Sequence, residues 1–135
     1  MEDCIFCKII KGELPSNRVF ENEHAIAIMD IMPSAPGHTL VIPKEHATNI
    51  FDASEESIVE GFRVAHKIAG AVKNSVNADG LNIYINNGES AFQVVMHPHI
   101  HMLPRFKGDG HKPWGHVERS KEQIAEDAEA IRGSL

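Results

Sequence analysis

The apolar positions change period along the chain, and each change marks an element. Residues 5–11 have the pattern of one or two helical turns, halted by Gly12 and Pro15. Strand-like runs at 18–21 and 24–31 flank the turn-prone Glu21-Asn22-Glu23, which predicts a hairpin. Two prolines and a glycine make 31–37 a loop. His38-Thr39-Leu40-Val41-Ile42 then reads as a buried strand closed by Pro43. Beyond it the period lengthens. Ile58, Phe62, Ala65, Ala69, Val72 and Val76 recur at intervals of four and three, the stripe of one long helix. Asp52 or Ser54 can cap its start, and Glu55 and Glu56 suit the positive end of its dipole. Asp79-Gly80 ends that segment, 81–86 is a strand, and Asn86-Asn87-Gly88-Glu89-Ser90 is a turn. A strand of alternating histidines follows, then a polar loop over 107–116 and a final helix with Ile124, Ala128 and Ile131 on its apolar side.

Five strands on short connections, with the long helix between the third and fourth, predict an α+β fold. Its layout is a five-stranded antiparallel sheet with one long helix and a C-terminal helix. The 135 residues suit one domain, 1–135, in which 107–135 form a C-terminal loop and helix. There is no internal repeat, no βαβ alternation, and no G-x-G-x-x-G or Walker sequence.

Charge narrows the partners. A net charge of −6 opposes generic nucleic-acid binding, which relies on Lys and Arg neutralising phosphates. It still permits a small phosphate ligand. No apolar stretch reaches the length of a bilayer span, and Met1-Glu2-Asp3-Cys4 lacks the order of a signal peptide. A cytoplasmic protein without membrane or nucleic-acid partners is expected. Disulfides are rare in that compartment. Cys4-Ile5-Phe6-Cys7 therefore reads as a metal clamp, a redox pair, or two small buried apolar side chains.

The candidate chemistry lies in Met96-His97-Pro98-His99-Ile100-His101-Met102. On a strand the three histidines share one face, about 6.6 Å apart at a rise of about 3.3 Å per residue, while Pro98, Ile100 and Met102 pack on the other. Two chemistries fit. In the first, imidazoles complete a metal site with Cys4 and Cys7; the spacing is not that of a zinc finger, so His46 and one triad histidine are the candidates. In the second, a histidine nitrogen attacks phosphorus while a neighbour steadies the phosphoryl group. Asn86 and Gln93 could supply amide donors to phosphate, although an Asn in a turn usually satisfies its own backbone.

The run from Gln93 to Arg105 resembles the signature of the histidine triad (HIT) family, histidines alternating with apolar residues. Cys4-Ile5-Phe6-Cys7-Lys8-Ile9-Ile10, Asp30-Ile31-Met32-Pro33, Pro36-Gly37-His38-Thr39-Leu40-Val41-Ile42-Pro43-Lys44 and Asn86-Asn87-Gly88 resemble further family segments, in the family's order. The resemblance implies a nucleotide hydrolase or transferase of the phosphoramidase-like prokaryotic branch, working at the α-phosphate of a purine nucleotide such as an AMP derivative. It implies that His99 is the nucleophile of a nucleotidyl-histidine intermediate, with His101 at the phosphate and leaving group and His38 behind it. Asn86 and Gln93 match phosphate contacts, Asp30 a ribose contact, and Phe6, Ile28 and Ile31 the base pocket. Cys4, Cys7, His46 and His97 match a structural zinc site of prokaryotic relatives, and a homodimer is implied as well. A diadenosine polyphosphate hydrolase, a weakly catalytic nucleotide-binding zinc protein, and a catalytic metal at the triad are the alternatives.

Three positions depart from the family pattern. Pro98 has no N–H for a ladder, Phe92 stands where glycine is common, and Val94 replaces a frequent Ser or Thr. These bear on leaving-group preference. Elsewhere, His24, His66 and His116 are expected at the surface. Trp114 could close over substrate or anchor the last helix, His111 lies in the same variable loop, and Lys44, Arg105 and Lys107 could attract phosphate by their field.

Overall fold

The computed structural model describes residues 3–111 and 118–133. Helix α1 (Ile5–Ile10) leads into the hairpin of β1 (Arg18–Glu21) and β2 (Ala25–Met29), then β3 (Thr39–Pro43). The long α2 (Glu55–Ser75) follows, then β4 (Gly80–Ile85), a 3-10 turn (Glu89–Ala91), β5 (Ile100–Arg105) and α3 (Lys121–Gly133). The five strands form one antiparallel sheet in the order β1-β2-β3-β5-β4, so the fold is α+β as the periodicity predicts.

Local chemistry sets the element ends. The Asn22 side chain accepts from the backbone N–H groups of His24 and Ala25 and closes the first hairpin. Ser54, of the two candidate caps, accepts from Ser57 N at the start of α2. Asp52 instead binds the N–H groups of Thr48 and Asn49. The unforeseen 3-10 turn follows Gly88, whose φ of 95° favours glycine. At α3, Ser120 and Gln123 bond each other's backbone N–H reciprocally, a capping box. Ile124 there is exposed and Ala128 half-buried. The Ile131 side chain, Trp114 and His116 lie outside the described residues.

Pleat alternation divides the core into two layers. Ala25, Ala27, Val41, Ile100 and Met102 face α2, meeting Val64, Ala65, Ile68 and Val72. Ile26, Ile28, Leu40 and Ile42 face the other way and pack on Phe6, Cys7 and Ile9 of α1, with Cys4 at its N-cap. Arg18 bonds the carbonyls of Ile9 and Ile10, tying the end of α1 to the sheet. With both faces covered, β2 and β3 are buried without alternation and, apart from Thr39, apolar.

The helix sits rotated from the predicted stripe. Ser57, Gly61, Val64, Ala65, Ile68 and Val72 are its buried residues, while Phe62 is exposed. Small residues let α2 approach the sheet closely, which outweighs the apolar count of the other face. A Cβ at Gly61 would lie 3.2 Å from Ile100 Cδ1 and 3.3 Å from Pro43 Cγ.

The histidine run is only partly a strand. β5 begins at Ile100, because it is paired on both sides and Pro98 cannot donate to a central ladder. His97, Pro98 and His99 therefore form an ordered, buried approach to the strand. The helix–sheet contact is tested by Gly61→Val, expected to cost about 1–3 kcal/mol through overpacking. Gly70→Ala, where a Cβ meets open space, is expected to gain up to about 1 kcal/mol from helix propensity. Denaturant midpoints of the two variants make the comparison.

Candidate functional site

Every histidine of the triad lies on the α1 side of the sheet, where Phe6 meets His97 and His99 edge-on at centroid distances of 6.0 and 5.0 Å. His99 and His101 rings are 4.9 Å apart, closer than the expected strand spacing because His99 precedes the ladder. The three are not equivalent. Each makes different hydrogen bonds, and those bonds fix different tautomers.

His99 Nδ1 lies 2.7 Å from the His97 carbonyl oxygen. A carbonyl only accepts, so Nδ1 carries the proton and Nε2 of the neutral ring keeps its lone pair. His38 Nδ1 accepts from the backbone N–H of Ser34 at 3.0 Å. Its proton is therefore on Nε2, which faces His101 Nδ1 at 3.0 Å. His101 Nδ1 must accept, leaving its own proton on Nε2. The site thus holds one imidazole whose Nε2 lone pair is free of a proton and another whose Nε2 carries one. Tyr84 stacks on His101 at 4.7 Å and 12°, and the β4–β5 register places the two opposite each other.

Burial keeps these rings neutral. Desolvation pushes His99 and His38 below the ordinary histidine range. It brings His101 down to about 4, helped by the positive charge His99 and His38 would carry if protonated. Asp30 opposes this on all three. Its carboxylate accepts from Met32 N at 2.8 Å and lies 3.6 Å from His38 Nε2.

The remaining triad member faces a second cluster. His97 Nε2 donates to the Pro43 carbonyl at 2.7 Å, which turns the Nδ1 lone pair toward Cys4 Sγ at 3.4 Å, Cys7 Sγ at 3.6 Å and His46 Nδ1 at 3.2 Å. His46 Nδ1 is 3.3 Å from Cys7 Sγ. These separations match the edges of a zinc tetrahedron with bonds of about 2.3 Å to sulfur and about 2.0–2.1 Å to nitrogen. Both cysteines are free thiols, and burial and Cys4 raise the Cys7 thiol. A metal would take the place of the thiol protons.

The other predicted site residues are placed unevenly. Phe6 and Ile28 share one buried cluster, but Ile31 is 85% exposed. Asn86 donates to the Phe92 carbonyl at 3.4 Å. Gln93 is buried and bonded on every side. Phe92 occupies the left-handed region at φ 68° and, like Val94, is more than four-fifths exposed. Lys44 pairs with Glu21, and Arg105 with Asp109. Lys107, His66 and His111 are exposed, whereas His24 is half-buried beside Glu23. Sequence reasoning missed Tyr84, Ser34 and Pro43; two act through backbone groups and the third through register, none of which leaves a residue-type signal.

The HIT domain family profile matches residues 11–108. The chain belongs to the HIT family. The HIT protein of Bacillus subtilis is 48% identical over 110 residues, covering 81% of this chain and 76% of that one. A zinc-bound histidine triad family protein from Mycobacterium smegmatis superposes with a TM-score of 0.78 at 35% identity, covering 99% of both chains. A histidine triad nucleotide-binding protein from Candida albicans gives 0.86 at 31% identity, covering 98% of this chain and 97% of that one. No helix among the described residues of this HIT protein is long and apolar enough to cross a membrane.

Buried neutral histidines make stability depend on pH with a definite sign. The unfolded chain protonates His101 near pH 6.5, whereas the folded chain resists down to about 4. Stability is therefore fully present above pH 6.5 and falls as pH drops toward 4. Thermal midpoints measured from pH 7 to pH 5 should decline, with a shallower slope in His101→Gln. Equal slopes would contradict the assignment.

Proposed function

We propose that this HIT protein is a nucleotide hydrolase or transferase, phosphoramidase-like, acting at the α-phosphate of an AMP derivative through a nucleotidyl intermediate on His99. The observation that carries the reading is the His99 Nδ1–H bond to the His97 carbonyl, which leaves Nε2 unprotonated beside His101. The relative from Candida albicans, a nucleotide-binding protein, supports the ligand class.

In this reading the Nε2 lone pair of His99 attacks the α-phosphorus, a P–N bond forms to the ring, and the bond from phosphorus to the leaving group breaks. The His97 carbonyl stabilises the positive charge that develops on the ring. His101 donates its Nε2–H toward the phosphate or leaving atom, and His38 keeps it in that tautomer. Water then attacks the intermediate, releases the nucleoside monophosphate and restores His99. Asn86 is assigned to the phosphate, Asp30 to the ribose hydroxyls, and Phe6, Ile28 and Ile31 to the base.

Cys4, Cys7, His46 and His97 would hold zinc, which supplies no acid, base or nucleophile there and ties the start of the chain to the sheet. The relative from Mycobacterium smegmatis, which is zinc-bound, supports this. A homodimer is supported by the outer face of α2. Ile58, Val59, Phe62, Arg63 and His66 line a shallow concavity of about 580 Å³ there. Ile83, on the α2 side of edge strand β4, is also exposed. A cytoplasmic location is in keeping with two free cysteines.

Purified protein is expected to release AMP from an adenosine 5′-phosphoramidate faster than it cleaves a diadenosine polyphosphate. His99→Ala should lose on the order of 10⁴-fold in kcat and keep its fold by circular dichroism. Full turnover in that variant would reject His99 as nucleophile. Tight AMP binding with no product from the wild type would instead mark a binding protein.

A further inference from the structure

Gln93 is only 3% exposed, and its amide has no position left for a ligand. Nε2 donates to the Thr48 carbonyl at 2.6 Å and to the Val95 carbonyl at 3.0 Å. Oε1 accepts from Gly88 N at 2.8 Å and Asn49 Nδ2 at 3.3 Å. Two donors and two acceptors are all that a primary amide offers. The partners come from three separate segments. Thr48 lies two residues after His46, Val95 lies two residues before His97, and Gly88 opens the turn between them in the fold.

The segment after His46 is short of other long-range anchors. Asp52 binds Thr48 and Asn49 locally, and Asn87 accepts from Ile50 N, but neither reaches the chain before His97. We infer that Gln93 is a positioning residue which locks the His46 and His97 loops together, and that it makes no contact with substrate phosphate. Through the His97 carbonyl the same brace holds the orientation of His99. No hydroxyl, carboxylate or ammonium group can replace it, since each lacks either two donors or two acceptors in one plane.

The inference rests on the zinc reading above, and three measurements separate the two. Gln93→Met preserves volume and removes all four bonds. Zinc-loaded Gln93→Met is expected to give up its metal to a chromogenic chelator about tenfold faster than wild type, with AMP affinity by calorimetry within about twofold in zinc-saturated buffer. The melting-temperature losses of Gln93→Met and His46→Ala should be less than additive in the double variant. A tenfold loss of AMP affinity with unchanged zinc release makes Gln93 a phosphate contact and overturns the inference. Additive losses with unchanged zinc release reduce it to ordinary packing and also overturn it. Should Gln93→Met fail to fold, hydrogen exchange on the wild type decides: Gly88 N–H must lose protection when zinc is chelated, and constant protection rejects the brace. A wild type that takes up no zinc rejects the zinc reading instead. The His46→Ala cycle and the AMP titration then still decide the role of Gln93.

Discussion

His97 is constrained at three points, and both sites depend on all of them. Its Nε2–H is fixed to the Pro43 carbonyl at the end of β3. Its Nδ1 completes a group of two thiols and a second imidazole. Its own carbonyl takes the Nδ1 proton of His99 at 2.7 Å. A fully buried imidazole without such partners would be costly. Here every polar atom of the ring is used, and the backbone oxygen relays that order to its neighbour. One residue therefore links the Cys4–Cys7–His46 cluster to the His99 ring without sharing a side-chain atom between them.

The sheet makes this arrangement possible by separating its faces. Small and branched residues on one side of β2, β3 and β5 receive α2, and each fully buried Val, Ile or Met side chain there contributes about 1.5–3 kcal/mol. The opposite side carries Phe6, the two thiols and the imidazoles. A one-residue slip of β5 would turn His101 into the helix layer and Met102 into the site. Pairing of β5 with both β3 and β4 prevents that, and it also places Tyr84 flat on His101. The burial that packs these rings also holds them neutral, which suits a nucleophile and a hydrogen-bond donor near pH 7.

Much of this was legible in the chain. Strand order along the sequence, the long helix and the grouping of histidines all follow from periodicity and from where proline and glycine fall. Residue types brought Cys4, Cys7, His46 and one triad histidine forward as a metal set, the HIT resemblance singled out His97, and the structure gathers all four. What stayed hidden is what side chains do to backbone groups. Ser34 acts through its N–H and Pro43 through its carbonyl, and neither identity advertises the role. Gln93 has a residue type suited to phosphate, yet it is buried with its amide bonded to Thr48, Asn49, Gly88 and Val95, a placement its identity does not advertise. The α2 stripe was misplaced for a related reason: Ser57 and Gly61 are inside because closeness to Ile100 and Pro43 demands small residues there.

The central claim is that the His97 carbonyl sets the tautomer of His99 and so defines its nucleophilic nitrogen. Nitrogen-15 NMR of histidine-labelled protein at pH 7 reads this directly. His99 should show Nδ1 as a protonated, pyrrole-type nitrogen and Nε2 as an unprotonated, pyridine-type nitrogen. A proton on Nε2, or rapid exchange between the two tautomers, would contradict it.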